Sequence, residues 1–357
     1  MRIVLSNSSS RWGGVHKVTE LLARQLLARG HTVTVFGYPG GMLEKRIRGI
    51  APFEPILKGM DLHPATLWRV GRALRRVQPD VILALMRKDL SLTAPIAYAY
   101  GIPVVFRHAN DRPLSSSVYK RLLYGVFTAF HITNAEATRQ TLLGSARWLR
   151  EDRVRVVYNG LDAAVYENAE RVPLGLPPGS KVVGYIGIFE PRKGLRDLAT
   201  AWPTVAARVP NAHLVLVGKG SMEGELRATL GNEPNVHSLG YRDDVPRVLR
   251  SLDVLVLPSH VEGAPNVVQE AMAAGVGVVA TSVSGTPELA RNGVEGWLVP
   301  PRQPAKLADA LVSALVDDES RRLRVEAAKI RVRERFGIGQ MIDAYEELLA
   351  SVVRGRS

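Results

Sequence analysis

The chain has 357 residues and no cysteine, which excludes a disulfide framework, thiolate metal sites and a cysteine nucleophile. Hydrophobic residues at 46% and a mean hydropathy near zero describe a globular protein, and the length exceeds what one hydrophobic core usually serves, so two domains are expected. The formal charge is +13, but residues 1–170 hold 24 Lys+Arg against 13 Asp+Glu and residues 171–357 hold 23 against 21, so the excess sits in the first half. Such asymmetry predicts either that the first half meets something anionic or that it serves solubility alone.

The opening MRIVLSNSSSRW has too short an apolar run for a signal peptide, and Arg11 follows it closely. Residues 2–5 read as a β-strand. Leucines and alanines at helical spacing predict a helix over 16–29, stopped by Gly30, and 31–36 alternates as a strand. Further strands are expected at 81–85, 104–106 and 154–157. Two segments are basic and amphipathic. In ATLWRVGRALRRVQ, Leu67, Trp68, Leu74 and Val77 alternate with Arg69, Arg72, Arg75 and Arg76. In SVYKRLLYGVFTAF, Lys120 and Arg121 flank Tyr119, Leu122, Leu123, Tyr124 and Phe127. Each is either a domain helix with a packed and a solvated face or a surface for an anionic leaflet. The longest uncharged stretches, 90–106 and 271–287, contain glycine and proline and read as elements of a soluble domain, not membrane spans.

The segment ENAERVPLGLPPGS has no period and reads as an interdomain connection. A second alternating series follows, with strands at 182–188, 213–217, 236–239, 253–257, 276–280 and 296–299 and a helix at 304–316. Two βαβα series in tandem predict an α/β protein of two doubly wound, Rossmann-like domains whose strand ends face one cleft. SNSSSRWGGVHK after the first strand lacks G-x-G-x-x-G, which weakens a nicotinamide-enzyme reading. Gly218-Lys219-Gly220 has neither a third glycine nor a Walker pattern and is read as a tight turn.

The densest chemistry lies between 253 and 288. The strand DVLVL ends at Pro258, and a loop over 259–264 carries Glu262, Gly263 and Ala264. Pro265 suits a first helical position, and the helix 266–274 stops at Gly275. The amides of Asn266 and Val267, at the positive end of that helix, form a ready phosphate site. Glu270, one turn on, can accept hydrogen bonds from vicinal hydroxyls such as a ribose's, and Glu262 from hydroxyls of a second ring beyond the phosphates. The alternative is a pair of surface carboxylates favoured by the helix dipole. After the strand 182–188, FEPRKG places Arg192 and Lys193 at a strand's C-terminal end, where two cations could stabilise a diphosphate leaving group. Asp243 and Asp244, in RDDVP, precede a helix and read as caps, not as a metal pair.

These residues, with RWGGVHKVTELLARQLLARGHTVTVF, VVYNGLD, GIFEPRKG, HLVLVGKG, NVHSLGYRDDVPRVLRSLDVLVLPS, HVEGAPNVVQEAMAAGVGVVAT and GTPELARNGVEGWLVPP, give the chain a resemblance to the retaining glycosyltransferases of family 4, which have the GT-B fold. The pieces span both expected domains in the family's order, and the Glu-x7-Glu element is Glu262 and Glu270. The resemblance implies a nucleoside diphosphate sugar as donor, with Glu270 on the ribose, Glu262 on the sugar, and Arg192 with Lys193 on the diphosphate. It implies that the base rests near Leu239, Tyr241 and Arg242, that Gly13 and Gly14 close over the phosphates, and that His108 lies near the reacting sugar carbon. It implies no metal or other cofactor, since helix amides and basic side chains carry that charge. Ile188 departs from the family, many of whose members have an arginine there; Arg192 would then supply the second cation, as in members that read R-K-G.

The resulting expectation is a retaining, metal-independent hexosyltransferase. It would take a UDP-, GDP- or ADP-sugar as donor and a glycan or glycolipid as acceptor, in cell-envelope polysaccharide or lipopolysaccharide synthesis. Residues 1–166 would bind the acceptor, 167–337 the donor, and a last helix within 338–357 would cross back to the first domain. The protein would be cytoplasmic, or peripheral on the cytoplasmic face of an anionic membrane, with no nucleic acid as partner. The rival readings are another GT-B sugar-phosphate enzyme, such as a phosphorylase or epimerase, or a non-catalytic sugar-nucleotide-binding protein.

Overall fold

The computed structural model describes residues 1–10, 13–58, 63–231 and 233–355. Packing divides the chain into two compact units, Met1–Asn159 with Gly339–Ser357, and Gly160–Ile338. The division falls ahead of the expected 166, because the helix Ala163–Glu167 packs on the helix Asn266–Ala274 of the second unit.

The first unit is built on β1 (Arg2–Asn7), β2 (Thr32–Gly37), β3 (Phe53–Glu54), β4 (Val81–Ala84), β5 (Val104–His108), β6 (Phe130–Thr133) and β7 (Val154–Val156), all parallel, in the order β3-β2-β1-β4-β5-β6-β7. Strands such as VILA are apolar throughout because helices cover both faces of a parallel sheet. Val4, Ile82, Phe106, Tyr124 and Leu142 meet in the core of this unit. The final helix Ile338–Arg354 belongs here and is tied by Arg29 to Asp343 at 2.5 Å and by Arg155 to Glu347 at 2.9 Å.

β3 and β6 are absent from the sequence reading. β3 has two residues. β6 follows directly on the second amphipathic segment, which is not one helix: Val118–Lys120 is a single α-turn, Arg121–Val126 is a π-helix, and the strand begins at Phe130. The first amphipathic segment is the continuous helix Pro64–Val77.

The second unit holds β8 (Lys181–Ile186), β9 (Ala212–Val217), β10 (Val236–Gly240), β11 (Val254–Leu257), β12 (Gly277–Thr281) and β13 (Trp297–Val299), all parallel, in the order β10-β9-β8-β11-β12-β13. The helices Asn266–Ala274 and Pro304–Val316 have the limits read from sequence. Each sheet reverses its strand order once, between β1 and β4 and between β8 and β11. Doubly wound sheets bind ligands outside the strand ends at such points. Among the described residues no helix is long and apolar enough to cross a membrane.

Candidate functional site

The loops that leave β8 and β11 are fastened to one another at the second unit's switch point. The His260 amide donates to the Arg192 carbonyl at 2.8 Å, and the His260 ring meets Asp197 at 2.8 Å. Gly194 has φ +67°, and a Cβ there would lie 1.8 Å from the Pro258 carbonyl oxygen, so only glycine permits this approach. Thr281, the last residue of β12, donates its hydroxyl to the Ser259 carbonyl, and the Gly285 amide reaches the Gly263 carbonyl at 3.0 Å. The ends of three neighbouring strands thus hold the segment from Ser259 to Pro265.

Inside that frame, Lys193 Nζ donates to Glu262 Oε1 at 2.5 Å, and Ser259 Oγ donates to the same oxygen at 2.6 Å. The Glu262 side chain is 7% exposed and that of Lys193 14%, so these are not surface groups. A carboxylate this buried is stable only when paired and hydrogen-bonded. The sequence reading gave Lys193 and Glu262 separate duties; the structure joins them. Arg192 is placed differently. It is about a third exposed, and its Nε donates to Glu190 at 2.8 Å. Ile188, in the same loop, is exposed.

Pro265 is not the first helical residue. It has extended backbone, ψ 113°, and occupies the N-cap position, so Asn266 opens the helix. Gly263, Ala264 and Pro265 are buried, while Asn266 and Val267 are half-buried. Gly275 ends the helix in the left-handed region at φ +74°. Glu270 is 6% exposed, and the Tyr166 phenol lies within reach of its charge. Burial and the neighbouring carboxylate push the Tyr166 phenol above its usual range. The surface-carboxylate alternative for Glu262 and Glu270 is therefore discarded.

At the end of β10, Leu239 and Arg242 are half-buried and Tyr241 is exposed. Asp244 stands at the N-cap position of the helix Val245–Arg250 but makes no side-chain cap. Arg242 instead grips it with Nε at 2.7 Å and Nη2 at 2.6 Å, and Tyr241 donates to Asp243 at 2.8 Å. The capping explanation of this pair is thus replaced by one of side-chain pairing, which holds Tyr241 and Arg242 in place. Gly218 and Gly220 form a tight turn, since a Cβ at Gly218 would lie 1.8 Å from the Gly187 carbonyl oxygen.

In the first unit, Gly13 is the N-cap of the helix Gly14–Ala28 and has extended backbone. A Cβ at Gly13 would meet nothing within 4 Å, so the unit itself does not demand glycine there. Arg11 and Trp12, which head the same motif, lie outside the described residues. Asp89 anchors the start of the loop. It is fully buried at the switch point and accepts from the Ser8 amide at 2.7 Å and the Met86 amide at 2.9 Å; burial lifts its carboxyl to about 7. His16 donates to the Ser9 carbonyl at 3.1 Å. His108 ends β5, its ring 4.5 Å edge-on from Phe106, and its Nε2 lies 3.1 Å from Nδ1 of His131. Burial, with His131 and Arg107 nearby, holds the His108 pKa well below the ordinary value, so the ring is neutral at pH 7.

The structure thus gathers Lys193, Glu262, Gly263, Ala264, Pro265, Asn266, Val267 and Glu270 in the loops that leave β8 and β11 and on one helix. Leu239, Tyr241 and Arg242 stand at the end of β10, two strands away from β8. Gly13, Gly14 and His108 belong to the first unit. Ser259, Tyr166, Asp89 and His131 were missed. Ser259 could have been found as the hydroxyl three residues ahead of Glu262. The others depend on contacts distant in sequence.

Residues 12–165 match the family model described as Glycosyltransferase Family 4, and residues 180–317 match that of Glycosyl transferases group 1. A lipopolysaccharide core biosynthesis glycosyltransferase, LpsE, of Rhizobium meliloti is 29% identical over 344 residues, covering 95% of this chain and 96% of its own. A phosphatidyl-myo-inositol mannosyltransferase of Mycolicibacterium smegmatis is 30% identical over 339 residues, covering 90% and 86%. Among solved structures, HepE of Anabaena in complex with UDP-glucose superposes with a TM-score of 0.85 over 98% of this chain and 99% of that one, at 24% identity.

Proposed function

The chain belongs to glycosyltransferase family 4 and has the GT-B fold, and on that premise we propose that it is a retaining hexosyltransferase, moving a sugar from a nucleoside diphosphate to a hydroxyl of a glycan or glycolipid. The observation that carries this reading is the buried Lys193–Glu262–Ser259 set beside the N-terminus of the helix Asn266–Ala274, at the switch point of the second sheet. A pyrophosphate needs positive charge and oriented N–H groups, and here both converge. Lys193 and Arg192 face the diphosphate, with the Asn266 and Val267 amides beside them on the frame of Gly263, Ala264 and Pro265. Glu270 takes the ribose hydroxyls, Glu262 the sugar hydroxyls, and Leu239, Tyr241 and Arg242 the base. Gly13 and Gly14 approach the phosphates, and His108 the reacting carbon.

In this reading the anomeric C–O bond to the phosphate breaks and its electron pair leaves with the diphosphate. The acceptor oxygen bonds on the same face, and its proton passes to the departing phosphate oxygen. Configuration is retained without a carboxylate nucleophile. The charge of the leaving group is met by Lys193, Arg192 and the helix amides, so no metal or other cofactor takes part. The name of the Rhizobium relative supports a place in lipopolysaccharide or other cell-envelope polysaccharide synthesis, and that of the Mycolicibacterium relative supports a glycolipid acceptor. A thermal-shift screen of UDP-, GDP- and ADP-sugars tests the donor class. One nucleotide series should stabilise the protein selectively, by about 2.7 kcal/mol at a hundred times its Kd. No stabilisation by any of them would contradict the reading.

The first unit chooses the acceptor in this reading, and its basic face suits an anionic leaflet on the cytoplasmic side. Trp68 is 65% exposed with the Arg72 guanidinium 5.7 Å from its ring centre, Arg75 lies 5.3 Å from the ring of Tyr100, and Val118, Tyr119 and Leu122 are exposed beside Lys120 and Arg121. Cations near such a surface contribute about 1 kcal/mol each. The full chain should co-sediment with phosphatidylglycerol vesicles and be released as salt rises. Equal binding to neutral vesicles, or none to either, would leave solubility as the reason for the charge.

A further inference from the structure

His131 is 1% exposed on β6 and has no part in the roles assigned above. Its Nε2 lies 3.0 Å from the Tyr124 carbonyl oxygen and its Nδ1 lies 3.1 Å from His108 Nε2. A carbonyl oxygen can only accept, so His131 carries its proton on Nε2. In a neutral imidazole the other nitrogen then bears a lone pair. His131 Nδ1 must accept, His108 Nε2 must donate, and His108 Nδ1 is left without a proton. The direction of the whole chain follows from its one terminus of fixed polarity, the peptide carbonyl.

Local structure supplies that terminus. Tyr124 sits in the π-helix Arg121–Val126, whose exit sends the Phe127 amide to the Leu122 carbonyl, the Thr128 hydroxyl to the Leu123 carbonyl and the Ala129 amide to the Val104 carbonyl. The Tyr124 carbonyl turns to His131 instead, and the two rings stack at 6.1 Å with an interplanar angle of 18°. Single π-turns of this kind recur at functional sites. The charged groups that face the pair are cations, Arg107 toward His108 and Arg153 toward His131, and both favour neutral rings. Burial lowers the His131 pKa to about 4, in keeping with a neutral donor–acceptor chain at pH 7.

We propose that His131 is a positioning residue that holds His108 in the Nε2–H form, so that His108 meets the sugar as a neutral hydrogen-bond acceptor through Nδ1 and not as a general acid. This deepens the proposed function and rests on the place given there to His108. The test joins a spectroscopic and a kinetic arm. In histidine-15N-labelled full-length protein without ligand, two-bond 1H–15N correlations should show His108 as one neutral Nε2–H tautomer from about pH 6 to 8. His131→Phe keeps the ring volume but removes both the acceptor and the donor; it should mix the His108 tautomers and lower kcat about tenfold with the donor KM little changed. His131→Asn, whose Oδ1 replaces the Nδ1 acceptor, should restore most of both. An Nδ1–H form of His108 in the wild type, or a His131→Phe protein with unaltered tautomer and kcat, would overturn the proposal. Wild-type protein inactive with every donor would count against the transferase reading, while the tautomer arm would still decide the hydrogen-bond chain.

Discussion

Lys193→Ala is expected to lower turnover by about a hundredfold or more in protein that remains folded. Removing one donor from a site of developing negative charge typically costs about 2.7–4 kcal/mol of transition-state stabilisation. The structure adds a second cost. Lys193 is the cation on the buried Glu262 carboxylate, whose other partner is the neutral Ser259 hydroxyl. Breaking a buried pair from one side costs about 3–5 kcal/mol of stability, and Lys193 retains enough exposure to sit at the lower end of that range. The two effects separate experimentally. The double variant with Glu262→Gln removes the stranded charge and should regain stability, yet be at least as slow as the single variant, since Glu262 also serves the sugar. Circular dichroism and urea titration report the fold, and product formation under saturating donor reports turnover. A Lys193→Ala enzyme with near wild-type kcat would remove Lys193 from the leaving-group role.

Glu270→Ala should weaken binding of the free nucleoside diphosphate by about tenfold or more, as hydrogen bonds to a charged acceptor contribute about 1.5–3 kcal/mol. The carboxylate is buried one turn inside the helix that opens at Asn266. It is thus fixed before any ligand arrives, and little side-chain entropy remains to be lost on binding. Calorimetry with the diphosphate alone avoids any contribution from chemistry. Unchanged affinity in Glu270→Ala would refute the ribose assignment.

The parts of this protein that were legible in its sequence are those whose signals are local. The helix Asn266–Ala274 was bounded correctly because a proline precedes it and a glycine stops it, and the strands of the second sheet showed as short apolar runs between turns. Local signals failed where a longer contact prevailed. Asp244 sits where a cap belongs, but a guanidinium two residues away binds its carboxylate more strongly than a backbone amide does. β6 was hidden because only Phe127, Thr128 and Ala129 separate the π-helix from the strand, with no glycine, proline or helix period to mark the change. The pairing of Lys193 with Glu262 spans 69 residues and was invisible, although both residues were singled out for their chemistry. His131 was overlooked for the same reason, since its partner lies on the neighbouring strand and its neighbour in sequence is a buried core position.

The central claim is that the second unit grips a nucleoside diphosphate where β8 and β11 end. A crystal structure of the full chain with its stabilising nucleotide sugar tests this most directly. The account predicts the pyrophosphate against Lys193 and the amides of Asn266 and Val267, with the ribose hydroxyls on Glu270. A nucleotide bound at full occupancy away from the loop that runs from His260 to Asn266 would contradict it.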